Sequence, residues 1–261
     1  MQKILAVANQ KGGVGKTTTV INLGASLAAA ELKVLVVDCD SQGNCSSGLG
    51  FDRNQGRPTL YDVLMRGFPV RDAIQPTEVA TLFLLPAGKD LVGATLELAD
   101  LEGREFVLRQ VLDSLRPDFD VILIDSPPSL GLLTLNVLVA ADEVLIPIQC
   151  EYFALEGLSD LVDTVERVKT AFNPRLVVMG IVLTLYDERL NLSQQVENDL
   201  RAHFDGKVFQ TVIPRNVRLA EAPSFGKPIL IYDARSRGAV SYINLAKEIL
   251  DHEKKSTGTG N

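Results

Sequence analysis

The chain has 261 residues, 46% hydrophobic and 23% charged, with a formal net charge of −7. Those proportions exclude a disordered chain, and the length fits one large domain or two small ones. Three cysteines, Cys39, Cys45 and Cys150, with no C-x-x-C, exclude a disulfide framework and a zinc finger and point to a reducing cytoplasm. Met1-Gln2-Lys3-Ile4 runs directly into core-type sequence, so no secretory leader is expected. The longest apolar stretches, 130–141 and 176–185, are shorter than the roughly 20 residues of a membrane span. The acidic balance argues against nucleic-acid binding by the whole surface and leaves room for a local basic patch.

Short apolar runs alternate with helical patterns along the chain. Strands are predicted at Lys3–Ala8, Val34–Asp38, Leu82–Pro86, Val121–Asp125, Glu143–Ile148, Val177–Leu183 and Val208–Ile213. Most are continuously apolar, as strands covered on both faces are. Helices are predicted at Lys16–Ala30, Arg104–Leu115, Leu155–Phe172, Gln194–Phe204 and Val240–His252, from apolar residues at three- and four-residue spacing. Segment 50–81 is irregular and polar around a short helix at Thr59–Arg66, and reads as an insertion. The alternation implies one α/β domain, residues 1–253, with a doubly wound, mostly parallel sheet and helices on both faces. Residues 254–261 read as a flexible polar tail.

The first predicted strand leads into Gln10-Lys11-Gly12-Gly13-Val14-Gly15-Lys16-Thr17-Thr18, and a helix follows. Strand, glycine loop and helix form the setting of a phosphate-binding loop. Glycines let successive backbone N–H groups face an anion, and the helix N-terminus adds partial positive charge. Lys16 is placed for the β- and γ-phosphates and Thr17 for a magnesium ion. Gln10 stands where the common pattern has glycine.

The phrase Lys11-Gly12-Gly13-Val14-Gly15-Lys16-Thr17-Thr18 resembles the deviant phosphate loop of the ParA/MinD family of P-loop ATPases, and the resemblance extends over about residues 2–250, closest to the chromosomal, Soj-like branch. It implies ATP and Mg²⁺ as ligands and a homodimer that sandwiches two nucleotides. It also makes Lys11 a second lysine, reaching the partner's phosphates and acting with Lys16 and Asp40 in catalysis. In Val34–Asn44 the family phrase D-x-D-P-Q-G-N is met by Asp38-Cys39-Asp40-Ser41-Gln42-Gly43-Asn44, with Ser41 in place of proline. Asp40 resembles the residue that positions the attacking water, and is grouped with Thr17 and Asp125 at the metal. Asp38 reads as a group near the metal, as a loop-orienting group, or as a strand-end cap. Four apolar residues ending in Asp125 have the shape of a magnesium-binding strand end.

Residues 213–228 resemble the family segment beside the adenine ring, which implies that Pro214 and Asn216 contact the base; Asn216 equally suits a helix cap. Charge is uneven: residues 186–261 carry 11 basic and 10 acidic side chains, against 15 and 23 in residues 1–185. Arg189, Arg218, Arg235 and Arg237 could form a patch for DNA phosphates, and the Soj-like resemblance singles out Arg189 and Arg218; solvated or salt-bridged arginines are the plain alternative. The resemblance thus implies a nucleoid-associated cytoplasmic ATPase, stimulated by a ParB/Spo0J-like partner. Two rivals remain. A MinD-like membrane-cycling regulator needs a C-terminal basic amphipathic helix, which the polar end of this chain lacks. A P-loop small-molecule enzyme, an amidoligase or an iron–sulfur reductase, is the other; the three cysteines fit no cluster phrase and read as small buried hydrophobes.

Overall fold

The computed structural model describes residues 2–258, with side chains described through residue 254. Among the described residues a seven-stranded sheet has the order β3-β4-β2-β5-β1-β6-β7. The strands are β1 (Lys3–Val7), β2 (Val34–Asp38), β3 (Gln75–Pro76), β4 (Leu82–Leu85), β5 (Val121–Asp125), β6 (Glu143–Gln149) and β7 (Val177–Thr184). All pair in parallel except β3, a two-residue antiparallel edge on β4. The central strands β2 and β5 are buried along their whole length, which explains their unbroken apolar runs.

The helices are α1 (Lys16–Ala29), α2 (Asn44–Gly48), α3 (Leu60–Arg66), α4 (Val70–Ala73), α5 (Leu91–Ala99), α6 (Val107–Asp113), α7 (Leu132–Ala140), α8 (Ala154–Ala171), α9 (Asn191–His203), α10 (Val217–Glu221), α11 (Ile229–Tyr232) and α12 (Arg237–Gly258). Two buried apolar clusters lie on opposite faces of the sheet, one around α1 and α12 and the other around α5 to α8. The doubly wound α/β fold is therefore as expected. All three cysteines are buried and free.

Besides the short elements β3, α2, α4, α10 and α11, which were not predicted, the structure departs from the predicted elements in four places. Residues 208–213 are not a continuous strand: Val208 bridges Ile181 of β7, and the Phe209 and Ile213 N–H groups donate to the carbonyls of Ile181 (2.9 Å) and Leu183 (2.8 Å), but no ladder forms between these contacts. The Glu248 carboxylate on α12 accepts from the N–H groups of Gln210 (2.6 Å) and Thr211 (2.9 Å), which draws those residues away from a ladder. Gly180 leaves room for Phe209 to lie against β7. Helix α7 was visible only as an apolar stretch, because it is buried on nearly every side and shows no amphipathic period. Helix α5 was not predicted. Helix α12 continues to Gly258, past residue 254 where the polar tail was placed; 259–261 lie outside the described residues.

Candidate functional site

The parallel register brings the acidic strand ends together. Asp38 pairs with Asp125 across β2 and β5, and Asp125 pairs with Val7 across β5 and β1, so both carboxylates sit beside the loop that leaves β1. This is the carboxyl edge of an open α/β sheet, where ligands bind. Gly13 (φ 77°) and Gly15 (φ 84°) take left-handed backbone that lets the loop wrap into α1. Helix α1 has no side-chain cap and no acidic residue in its first turn. Its N-terminal N–H groups thus face the loop with the positive end of the helix dipole. Thr184 at the end of β7 braces the loop: its hydroxyl donates to the carbonyls of Val14 (2.7 Å) and Ile148 (3.1 Å).

Lys16 is only 7% exposed. Its ammonium donates to the Lys11 carbonyl at 3.1 Å, so the side chain folds back across the loop. Burial pulls its pKa down, while Asp125 and Asp40 oppose that shift. Lys11, by contrast, is exposed and forms an ion pair with Glu151.

Asp125 is fully buried. One carboxylate oxygen, Oδ2, accepts from the Thr17 hydroxyl at 2.8 Å, and the other, Oδ1, is buried with no partner. Burial foremost, then the charge of Asp38, holds the Asp125 carboxyl well above the usual carboxylate range. An unsatisfied buried oxygen is costly and needs an explanation. A divalent cation beside Thr17 supplies one, since magnesium takes one or two carboxylates and completes its shell with phosphate oxygens and water. Among the described residues no cluster of three or more acidic, histidine or cysteine side chains could hold a metal alone.

Asp38 is also buried, but its oxygens are all engaged. They accept from the N–H of Asp40 (3.1 Å), the N–H of Ser46 (2.8 Å) and the Ser46 hydroxyl (2.6 Å). Burial pushes its pKa up to about 6 against those hydrogen bonds. Asp38 is therefore the inner anchor of the loop that carries Asp40 into α2. Asp40 itself is half-buried, and its Oδ1 accepts from the Gln42 N–H at 2.9 Å.

Gly12, Gly13, Lys16, Thr17, Thr18 and Asp40 share the lining of one cleft of about 630 Å³. A smaller cavity of about 100 Å³ adjoins it, shares Gly15, Thr18 and Leu185 with it, and is walled by Pro214, Asn216 and Tyr242. Asn216 caps α10, its Oδ1 accepting from the Arg218 N–H at 2.8 Å, which leaves its amide nitrogen for a ligand. Both readings of Asn216 are thus compatible. Tyr242 was not singled out in the sequence; it is fully buried on α12, with its hydroxyl 3.2 Å from that of Thr19.

The basic residues separate into two places. Arg189 lines a bowl of about 480 Å³ with Arg215, Arg235 and Arg237. Arg218 does not line it; it pairs with Glu221 at 2.9 Å and with Asp233 at 3.7 Å. Arg189 is held by both oxygens of Asp187, at 2.8 and 2.6 Å, and depresses the Asp187 pKa to about 2. Arg215 was missed as an individual residue, although the local excess of basic over acidic residues in 215–237 signals it.

A family profile described as an AAA domain matches residues 2–178. The chromosome partitioning protein ParA of Caulobacter vibrioides (strain NA1000 / CB15N) is 54% identical, over 97% of this chain and 95% of that protein. The chain belongs to the ParA/MinD family. The sporulation initiation inhibitor protein Soj of Bacillus subtilis (strain 168), from the same family, is 52% identical over 96% of this chain and 98% of that protein. Among solved structures, cobyrinic acid a,c-diamide synthase from Mycobacterium smegmatis with bound ADP and magnesium superposes with a TM-score of 0.86. It is 39% identical and covers 98% of this chain and 97% of that one. Among the described residues no helix is long and apolar enough to cross a membrane. The apolar side of α12 in this ParA/MinD protein, including Tyr242, Leu245 and Ile249, is buried in the α1 cluster.

Proposed function

We propose that this chain is a partitioning ATPase of the ParA/Soj type. Mg-ATP binds in the P-loop cleft and drives a sandwich homodimer; the dimer binds DNA without sequence preference; a ParB/Spo0J-like partner stimulates hydrolysis to ADP and phosphate, which releases the DNA. The observation that carries the ATPase step is the unpartnered Oδ1 of buried Asp125 beside Thr17 and Lys16. The identity with proteins named ParA and Soj carries the partitioning step.

In this reading the α1 N-terminus and the N–H groups of Gly12 to Thr18 hold the β- and γ-phosphates. Lys16 moves from the Lys11 carbonyl to the phosphates, exchanging a neutral acceptor for a charged one. Thr17 and Asp125 hold magnesium, which supplies charge neutralisation on the phosphate oxygens. Asp40 orients the water that attacks the γ-phosphorus. Lys11 leaves Glu151 and reaches the partner's phosphates, so dimerisation and charge stabilisation are one event. Pro214 and Asn216 hold the base. Arg189 meets DNA phosphates from the arginine bowl and Arg218 from α10. The protein works in the cytoplasm, on the nucleoid.

The small-molecule reading has a structural neighbour in the diamide synthase, at lower identity than the ParA and Soj proteins. The membrane reading requires an apolar helix face at the C-terminus, and the described face of α12 is used by the core. Duplex DNA of random sequence is titrated against the protein with no nucleotide, ADP and ATP, at low and moderate salt. Binding confined to ATP and weakened by salt supports the partitioning switch; affinity independent of nucleotide, or no affinity at all, overturns it.

A further inference from the structure

The loop that carries Asp40 is fastened from two sides. The inner fastening is Asp38, described above. The outer one comes from the insertion after α2. The Arg53 guanidinium donates through Nη2 to the Ser41 carbonyl at 2.9 Å. It lies across Gly43, so closely that a β-carbon there would collide with it. Gly43 has φ 59°, and it is the residue from which α2 starts. The backbone favours glycine at this position, and a side chain there would displace the guanidinium.

Arg53 is held in place by its own turn. The Asp52 carboxylate accepts from the Asn54 N–H (2.9 Å) and from the side-chain amides of Asn54 (3.1 Å) and Gln55 (3.3 Å), which fixes the chain on either side of Arg53. The Arg53 Nε is buried with no acceptor, and among the described residues the guanidinium forms no ion pair. A half-buried cation that leaves a donor unmet costs stability. Its hydrogen bond to the Ser41 carbonyl reaches the residue that follows Asp40.

We infer that Arg53 is a positioning residue for hydrolysis: it pins the Ser41–Gly43 segment so that the Asp40 carboxylate stays aimed into the phosphate cleft. This rests on the ATPase reading of Asp40. A carbonyl-directed guanidinium holds the backbone without competing for the carboxylate, which remains free to face water. Ser41 stands where the family phrase has proline, so the turn lacks the stiffness of a pyrrolidine ring, and the external clamp takes over that task.

The experiment compares wild type, Asp40→Ala, Arg53→Ala, Arg53→Lys, Gly43→Ala and the Gly43→Ala/Arg53→Ala pair. Nucleotide affinity is read by calorimetry, steady-state hydrolysis by phosphate release, and folding by thermal melts. Arg53→Ala is expected to lower kcat by about tenfold, with nucleotide affinity and KM unchanged within about twofold, as loss of orientation in the reaction step requires. Arg53→Lys, which keeps a cationic donor, should recover part of kcat. Free guanidinium, added at concentrations too low to shift the melt, should do the same for Arg53→Ala and leave wild type unaffected. Because the guanidinium crowds position 43, Gly43→Ala should cost less in the Arg53→Ala background than alone. If Asp40→Ala abolishes hydrolysis while Arg53→Ala keeps wild-type kcat, the Arg53 role falls and the ATPase reading stands. A loss of kcat that neither lysine nor guanidinium recovers, or that tracks the melt, also overturns it. If Asp40→Ala hydrolyses ATP at the wild-type rate, the Asp40 reading itself fails.

Discussion

The phosphate cleft and the arginine bowl hold comparable volumes and opposite solutions to charge. At the cleft, charge is buried and left partly unmet: Lys16 is nearly inaccessible, Asp125 has an orphan oxygen and Asp38 is enclosed by three donors. At the bowl, charge is exposed and met locally, with Arg189 on Asp187 and Arg237 3.4 Å from Glu188. Buried groups interact strongly and fix one geometry, whereas exposed pairs contribute little and rearrange for a ligand. The cleft is therefore a site built before its ligand arrives. The bowl is a reserve of cations that, in the proposed function, DNA phosphates must win from neighbouring carboxylates.

The strongest way to break this contrast is Lys16→Ala, which removes the cation already seated in the cleft. Nucleotide affinity should drop by about 100-fold or more, by calorimetry with ATP and magnesium. A tenfold loss or less would mean that the backbone cradle, not the lysine, dominates.

The next effect is a pH dependence. An acid whose pKa is raised on folding makes the folded state bind more protons, so stability falls as pH rises past the unfolded value of 3.8. Asp125 and Asp38 both act in this direction, Asp38 with a folded value of about 6. The melting temperature of Asp125→Asn minus that of wild type, without ligand, should thus increase from pH 4 towards pH 7, because only wild type loses the protonated form. Saturating Mg-ATP should reverse the order by stabilising wild type alone. A difference that is flat with pH would show that Asp125 is already compensated.

At the bowl the effects are smaller and depend on salt. Arg215→Ala and Arg189→Ala should each weaken DNA binding in the ATP state and reduce the slope of log affinity against log salt by about one phosphate contact. Nucleotide affinity should not change. The smallest effect is Asp187→Asn, which releases Arg189 and should raise DNA affinity by no more than about fivefold, the scale of an exposed ion pair. A larger gain would mean that the pair behaves as a buried one.

The same contrast decides what was legible in the sequence. The cleft could be read because Gly13, Gly15, Lys16, Thr17 and Asp125 follow fixed chain spacings, and strands β1, β2 and β5 announce themselves as unbroken apolar runs. The bowl was legible in part: Arg189, Arg235 and Arg237 were grouped as a patch and do share it, but Arg215 was missed and Arg218 included, because only the fold sets which of these separate segments share a surface. Arg218 was grouped with Arg189 by local charge and by resemblance, and α10 places it outside the bowl, paired with Glu221 and Asp233. The false strand at 208–213 has the apolar content of an edge strand, and what diverts it, Glu248, lies more than thirty residues downstream. Helix α7 was hidden because burial on all sides erases the period on which helix recognition rests.

Leu185 bears on how this site can drift. It takes φ 50°, a left-handed backbone that costs a residue with a side chain roughly 1–2 kcal/mol. Its neighbours hold it there: the Thr184 hydroxyl is bound to Val14 and Ile148, and the Tyr186 N–H donates to the Ile213 carbonyl at 3.0 Å. Leu185 also walls both the phosphate cleft and the smaller cavity beside it. Glycine would relax the backbone but open the partition between the two cavities. Any larger side chain would keep the strain. Most substitutions at this position therefore trade backbone relief against the wall between the two cavities, and the chain keeps a tense joint where the cleft and the smaller cavity meet.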